Sequence, residues 1–211
     1  MKKIAYWGLL ALCFSTPLFA QEKVDAPVWN VGDTWVFTDN GTIEVVNADE
    51  NSYVLTFSDD ICVVENQRFS TILFDKSTLH RMYGFKGDKG KKYTNWLRTI
   101  FNFPYSPGKQ WKDEQILQTP IASVFSDLGD VAYHETCKVV GWEDIEVQAG
   151  RFRAIKLEIT RGEPFGVTWG TSQYWYSPEV KYFVKCQYSP DAEAAFEEYF
   201  SWELTAFTLK K

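Results

Sequence analysis

Residues Val147 to Lys185 read V-Q-A-G-R-F-R-A-I-K-L-E-I-T-R-G-E-P-F-G-V-T-W-G-T-S-Q-Y-W-Y-S-P-E-V-K-Y-F-V-K, and this stretch decides the fold. Ala149-Gly150 lies between two β-rich runs, where glycine allows a hairpin turn at little steric cost. Ile155, Leu157 and Ile159 alternate with Lys156, Glu158 and Thr160, which puts aliphatics on one face of a strand and polar groups on the other. Arg161-Gly162-Glu163-Pro164 breaks that run, and Gly166 and Gly170 loosen the connection. Gln173 to Ser177 resumes as a strand carrying Tyr174, Trp175 and Tyr176. Ser177-Pro178-Glu179 suits a turn, because proline presets φ and cannot donate to a central ladder. The next strand is expected to carry Tyr182, Val184, Cys186 and Tyr188 on one face.

The same signals recur upstream. Val31-Gly32-Asp33 launches a strand through Trp35 and Phe37, and Asp39-Asn40-Gly41 is a hairpin signal. Further turns are expected at Ala48 to Ser52, at Asp59-Asp60 and at Asp75-Lys76-Ser77, so turns recur about every ten residues. Tyr93 to Phe103 is ambiguous: Trp96, Ile100 and Phe103 fit helical spacing, but the residues between do not alternate cleanly, and the segment reads as irregular or strand. Pro107-Gly108-Lys109-Gln110-Trp111 echoes Val31-Gly32-Asp33-Thr34-Trp35, each with a glycine three residues before a tryptophan. Asp113 to Gln118 reads as a strand. A bulge near the end is expected to switch the face presented by Phe207 and Leu209. The expected fold is therefore mainly β: one large curved antiparallel meander, open, half-barrel or sandwich-like, with few or short helices.

The quoted stretch resembles a pattern in uncharacterised bacterial exported β-domain proteins, V-x-A-G-x-F-x-A-x-K followed by W-Y-x-P-x-V. The matching residues are Val147, Ala149, Gly150, Phe152, Ala154 and Lys156, then Trp175, Tyr176, Pro178 and Val180. The resemblance covers roughly the C-terminal third and implies a structural signature and export, with no catalytic residue. By analogy of architecture, the expected sheet is similar to lipoprotein-carrier folds.

The first twenty residues fit export. Met1-Lys2-Lys3 is basic, Ile4 to Phe14 is apolar but too short to span a bilayer, and Ala20 offers a small cleavage residue. A signal peptide of residues 1–20 is expected, followed by a single domain over 21–211 and no transmembrane span. A lipoprotein signal at Cys13 is disfavoured by the bulk of Leu12. The chain carries −6; loss of Lys2 and Lys3 takes it to −8, a poor match for nucleic acid or anionic headgroups. The basic run Lys86 to Lys92 reads as a solvated hairpin tip. Cys62, Cys137 and Cys186 remain, enough for one disulfide in an oxidising compartment, and the spacing does not choose among the three pairings.

Only two histidines, His80 and His134, occur, and neither has a second ligand nearby in sequence; no metal or cofactor is expected. The adjacent acid pairs at Asp59-Asp60, Asp113-Glu114 and Glu197-Glu198 point to opposite faces if on strands. Aromatics make up 17% of the chain, nine of them tryptophan, which first of all means a β core. The expected function is non-catalytic and located in the periplasm or cell envelope. An aromatic-rich sheet face would bind an apolar ligand or a protein partner, with Trp96, Trp169, Tyr174, Trp175 and Tyr176 as candidate binding residues. Two alternatives differ in kind. A carbohydrate-binding module would need Trp96, Trp169 and Trp175 exposed in one plane. An enzyme would need a site assembled from distant residues, such as His134 beside a carboxylate and a hydroxyl.

Overall fold

The structure, a computed structural model, describes residues 22–38, 41–58, 63–64, 67–68, 71–79, 81–82, 100–117, 131–162, 168–190 and 201–211. Residues 1–20, where a signal peptide is expected, and Cys62, His80, Lys86–Lys92, Trp96, Asp59-Asp60 and Glu197-Glu198 lie outside them. The described residues contain strands and no helix. None of them forms a helix long and apolar enough to cross a membrane.

The first meander comprises β1 (Thr34–Phe37), β2 (Gly41–Ala48), β3 (Ser52–Ser58), β6 (Thr71–Asp75) and β7 (Arg81–Met82). A separate two-stranded ladder joins β4 (Val63–Val64) to β5 (Gln67–Arg68). The second meander comprises β8 (Gln110–Leu117), β9 (Val131–Val147), β10 (Gly150–Gly162), β11 (Thr168–Ser177), β12 (Tyr182–Pro190) and β13 (Trp202–Thr208). All eleven strands of the two meanders form one antiparallel sheet in the order β7-β6-β3-β2-β1-β13-β12-β11-β10-β9-β8. The seam between the meanders is the β1–β13 ladder, which pairs Thr34 with Thr208. The expected mainly-β meander is what forms, and the sheet does not close on itself.

The echo between the two glycine–tryptophan segments is structural. Gly32 and Gly108 have φ of 87° and 84°, a region open to glycine and costly for other residues. The Gly32 N–H donates to Val45 O at 2.8 Å and the Val45 N–H donates back to Asp33 O at 2.9 Å. Likewise Gly108 N–H donates to Val139 O and Val139 N–H donates to Lys109 O, both at 2.9 Å. In each case the strand that receives the turn is bulged one residue later. Register skips at Val46 in β2 and at Val140 in β9, and both of these valines are exposed. Each meander thus begins with the same turn, strand and bulge.

One face of the sheet carries the core. Ile155, Leu157 and Ile159 are buried and face Tyr176, Tyr174 and Ser172 across the β10–β11 rungs. On β12 a bulge at Val184 sets Phe183 opposite Tyr176 and Cys186 opposite Tyr174. Tyr182, Val184, Cys186 and Tyr188 therefore do not share one face as expected: the extra residue reverses the alternation and puts Phe183 in line with Cys186, while Val184 stays buried. A second bulge, at Thr205 of β13, sets Phe207 opposite Trp35 and Leu204 opposite Phe37. The expected bulge is there, but it keeps Phe207 on the same face as Leu204, since Trp35 and Phe37 lie on one face of β1.

Two irregular segments pack onto this inner face. Trp29, in the arm before β1, meets Trp35, Tyr53, Phe74, Phe101 and Tyr182 with ring centroids 5.3–6.1 Å apart. Residues 100–105 form a strap that puts Phe101 among Trp29, Phe74, Tyr182 and Phe183. Val24 and Tyr105 exchange backbone hydrogen bonds of 2.8 Å, which ties arm to strap. The ambiguous segment is thus irregular over its described end. The β9–β10 hairpin overhangs the last β10–β11 rung at Ile155. Its tip reaches β13, where Ala149 N–H donates to Leu204 O at 3.0 Å and Phe152 meets Phe207.

Candidate functional site

At the Gly162 end of β10 the inner face changes character. Glu135, Arg161 and Gly170 share a rung; Cys137, Ile159, Ser172 and Tyr188 share the next; Val139, Leu157, Tyr174 and Cys186 share a third. Period-two alternation directs all of these inward. Arg161 Nε donates to Glu135 Oε1 at 2.6 Å and its Nη1 donates to Ser172 Oγ at 2.9 Å. The side chain of Glu135 is 1% exposed and that of Arg161 is 17% exposed. Tyr174 is electrostatically coupled to both Arg161 and Cys186. Its ring meets Phe183 and Trp202 at 5.6 and 6.5 Å.

Gly170 shapes the same end. A Cβ there would lie 2.6 Å from Tyr188 OH and 2.9 Å from Ser189 O. Tyr188 therefore leans over the rung that carries Arg161, and the missing side chain of Gly170 makes the room. Tyr188 and Trp202 are half-buried beside it.

Burial sets the proton states. It pushes the Cys186 thiol up to about 12, with Tyr174 and Arg161 only partly offsetting the effect. Burial likewise raises Tyr174, Tyr176 and Tyr105 above the ordinary phenol range. Burial alone would lower Arg161, but Tyr174 and Glu135 reverse that and its pKa rises. These groups stay as thiol, phenols and guanidinium at neutral pH.

The candidate aromatics are divided between the two faces. Tyr176 is buried against Phe103, Tyr105 and Phe183. Trp175 points the other way, into a row running across Lys156, Trp175, Lys185 and Glu203. Lys156 and Lys185 place their ammoniums 4.9 and 5.9 Å from the ring, and the indole N–H donates to Glu143 at 2.8 Å. Trp175 is 5% exposed. Tyr174 alone of the described candidates joins the Arg161 cluster. Trp169 lies on β11, and Trp96 is outside the described residues.

Sequence reasoning missed Glu135, Arg161, Ser172 and Tyr188. Arg161 read as the start of a break, although the strand runs through Gly162. Register sets Glu114 opposite His134. Among the described residues no group of three His, Cys, Asp or Glu gathers as a metal set. Cys137 and Cys186 are buried, and neither is in a disulfide. They sit three strands apart on one face, about 14 Å at ordinary strand spacing, well beyond the reach of a disulfide.

No protein-family model matches the chain, and no curated protein matches it in sequence. Among solved structures it is similar to a Bacteroides fragilis protein described as having a YmcC-like fold and, by inference, as exported. The identity is 14% and the TM-score 0.40, over 88% of this chain and 99% of that one. A likeness that distant carries no function across.

Proposed function

We propose that this chain is a non-catalytic protein of the periplasm or cell envelope that acts by binding, holding an apolar ligand or a protein partner on its aromatic-rich sheet. The resemblance of Val147–Val180 to exported β-domains supports the location, as does the basic, apolar and small-residue order of residues 1–20. One observation carries the non-catalytic reading. Among the described inward groups, Glu135 is held by Arg161 at 2.6 Å, and burial raises Cys186, Tyr174 and Tyr176, the direction that keeps them protonated. A nucleophile or general base is tuned in the opposite direction.

Three measurements test the proposal. Fractionation and N-terminal sequencing should find the mature chain outside the inner membrane, beginning at Gln21. The purified protein should raise the emission of a fluorescent fatty-acid probe or co-purify a defined envelope protein. It should not turn over p-nitrophenyl esters, phosphates or glycosides. Steady turnover that is lost in a Cys186→Ala or Glu135→Gln variant would overturn it.

A further inference from the structure

We propose that residues 100–105 are a latched cover over the gap in the unclosed sheet, and that the cover opens as a unit, with the strands still paired, to admit an apolar guest to the inner face. The inference rests on the binding-protein reading above and names the way in.

The sheet runs from β7 to β8 without joining its ends. Phe74 stands on β6, one strand in from the first edge, and Trp111 stands on β8, at the other. The strap reaches both. Phe101 lies 5.7 Å from Phe74, and Tyr105 lies 6.3 Å from Trp111. These two strap residues are four apart, at most about 14 Å of extended chain. The curved sheet therefore brings its two edges close, and the strap spans what is left between them. Phe101 rests on Tyr182 and Phe183, and Phe103 and Tyr105 rest on Tyr176. A guest for the aromatic inner face finds these rings already taken by the strap's own.

The strap is held in a way that can release in one step. Its described backbone hydrogen bonds stay within it or run to Val24 of the arm, and none joins a strand of the sheet. The Tyr105 hydroxyl donates to Ile100 O, which ties the two ends of the strap into one piece. Lys109 is the latch. Its backbone carbonyl accepts from Val139 N–H on β9, so its root is fixed to the sheet. Its ammonium donates to Asn102 O, Asn102 Oδ1 and Pro104 O. One side chain thus grips three strap oxygens. Segments with few backbone bonds to their surroundings open at a lower free energy than the whole fold. Trp29 stays behind when the strap lifts, because its indole N–H donates to Lys181 O.

Native-state hydrogen exchange and titration with cis-parinaric acid test the proposal, on the parent and on Lys109→Met, which keeps most of the stem and removes the ammonium. The amides of Val24 and Tyr105 bond each other's carbonyls in a buried place. They should nonetheless exchange at least tenfold faster than those of Ile155 and Leu157 in β10, with a weaker dependence on urea. Lys109→Met should raise the open fraction, and with it the apparent affinity for the probe, by about tenfold. A latch that served stability alone would lower the urea midpoint without tightening the probe. Probe binding with Val24 and Tyr105 exchanging only in step with β10 overturns the inference and leaves the binding-protein reading standing. Equal affinity in the parent and Lys109→Met does the same. Separate opening of the strap with no probe uptake by either protein overturns both the apolar-ligand reading and this use of the cover.

Discussion

At Gly108 a backbone requirement can be separated from a packing one. A Cβ built there meets nothing within 4 Å, yet φ is +84°. Gly108→Ala should therefore cost only the left-handed backbone penalty, about 1–2 kcal/mol, read from the urea midpoint. Gly170→Ala should cost more, because Ser189 O is backbone and cannot step aside from 2.9 Å. The tryptophan indoles offer a second test. Trp35 Nε1 donates to Val180 O at 2.7 Å and Trp29 Nε1 to Lys181 O at 2.9 Å, which pins the β11–β12 turn to the first meander. Trp35→Phe keeps much of the ring and strands a buried carbonyl, at a cost of about 1–3 kcal/mol.

The raised phenols and thiol predict an alkaline limb. Cys186 moves from 9.0 to about 12, and Tyr105, Tyr174 and Tyr176 all move up. Above the unfolded values the unfolded chain sheds protons that the folded chain keeps, so stability falls as pH rises. It should be flat from pH 7 to about pH 8 with respect to these groups. It should then drop by up to about 1.4 kcal/mol per pH unit for each group, seen as a falling urea midpoint between pH 9 and 12. Native protein treated with iodoacetamide at pH 8 should keep Cys186 unmodified.

At the scale of elements, the strap at 100–105 is the piece that local pattern could not place. Its residues do not alternate, and its backbone pairs mainly through the single Val24–Tyr105 bridge. Side chains hold it instead. Phe101 sits among four rings, and the Lys109 ammonium reaches Asn102 Oδ1 and Pro104 O, both at 3.0 Å. Phe101→Ala should cost about 3–5 kcal/mol, measured by denaturation. The hairpins, by contrast, were legible. Ala149-Gly150 and Ser177-Pro178-Glu179 turn as their chemistry demands, and Ile155, Leu157 and Ile159 face inward as the alternation requires. What alternation cannot show is a bulge: Tyr182 and Val184 were expected to share a face with Cys186, and one extra residue on β12 put Phe183 in line with it. The Arg161 cluster was hidden for a related reason. Glu135, Arg161 and Ser172 come from three strands, and only register brings them together.

For the whole molecule, the two meanders depend on each other through one short ladder. β1 and β13 pair over Thr34 to Phe37, and Thr205 Oγ1 and Asp33 add bonds across the same join. Asp33 is fully buried and accepts from Asn30 N–H and Lys210 N–H while facing Lys181 Nζ at 3.8 Å. Removal of residues 202–211 should therefore unfold both meanders, not just the second. Loss of a single cooperative transition, with exchange protection gone from β2 and β3 as well as β12, is the expected readout.

The β1–β13 ladder also sets a schedule. Residue 34 has no neighbour on that side until residue 208 arrives, and contacts this remote in sequence form late and slowly. Until then the leading half of the chain lacks the mate that would let it harden early. The corresponding hazard is a bare strand edge during the wait, open to pairing with other chains. Co-expression with a holdase chaperone should therefore raise the yield of the full chain.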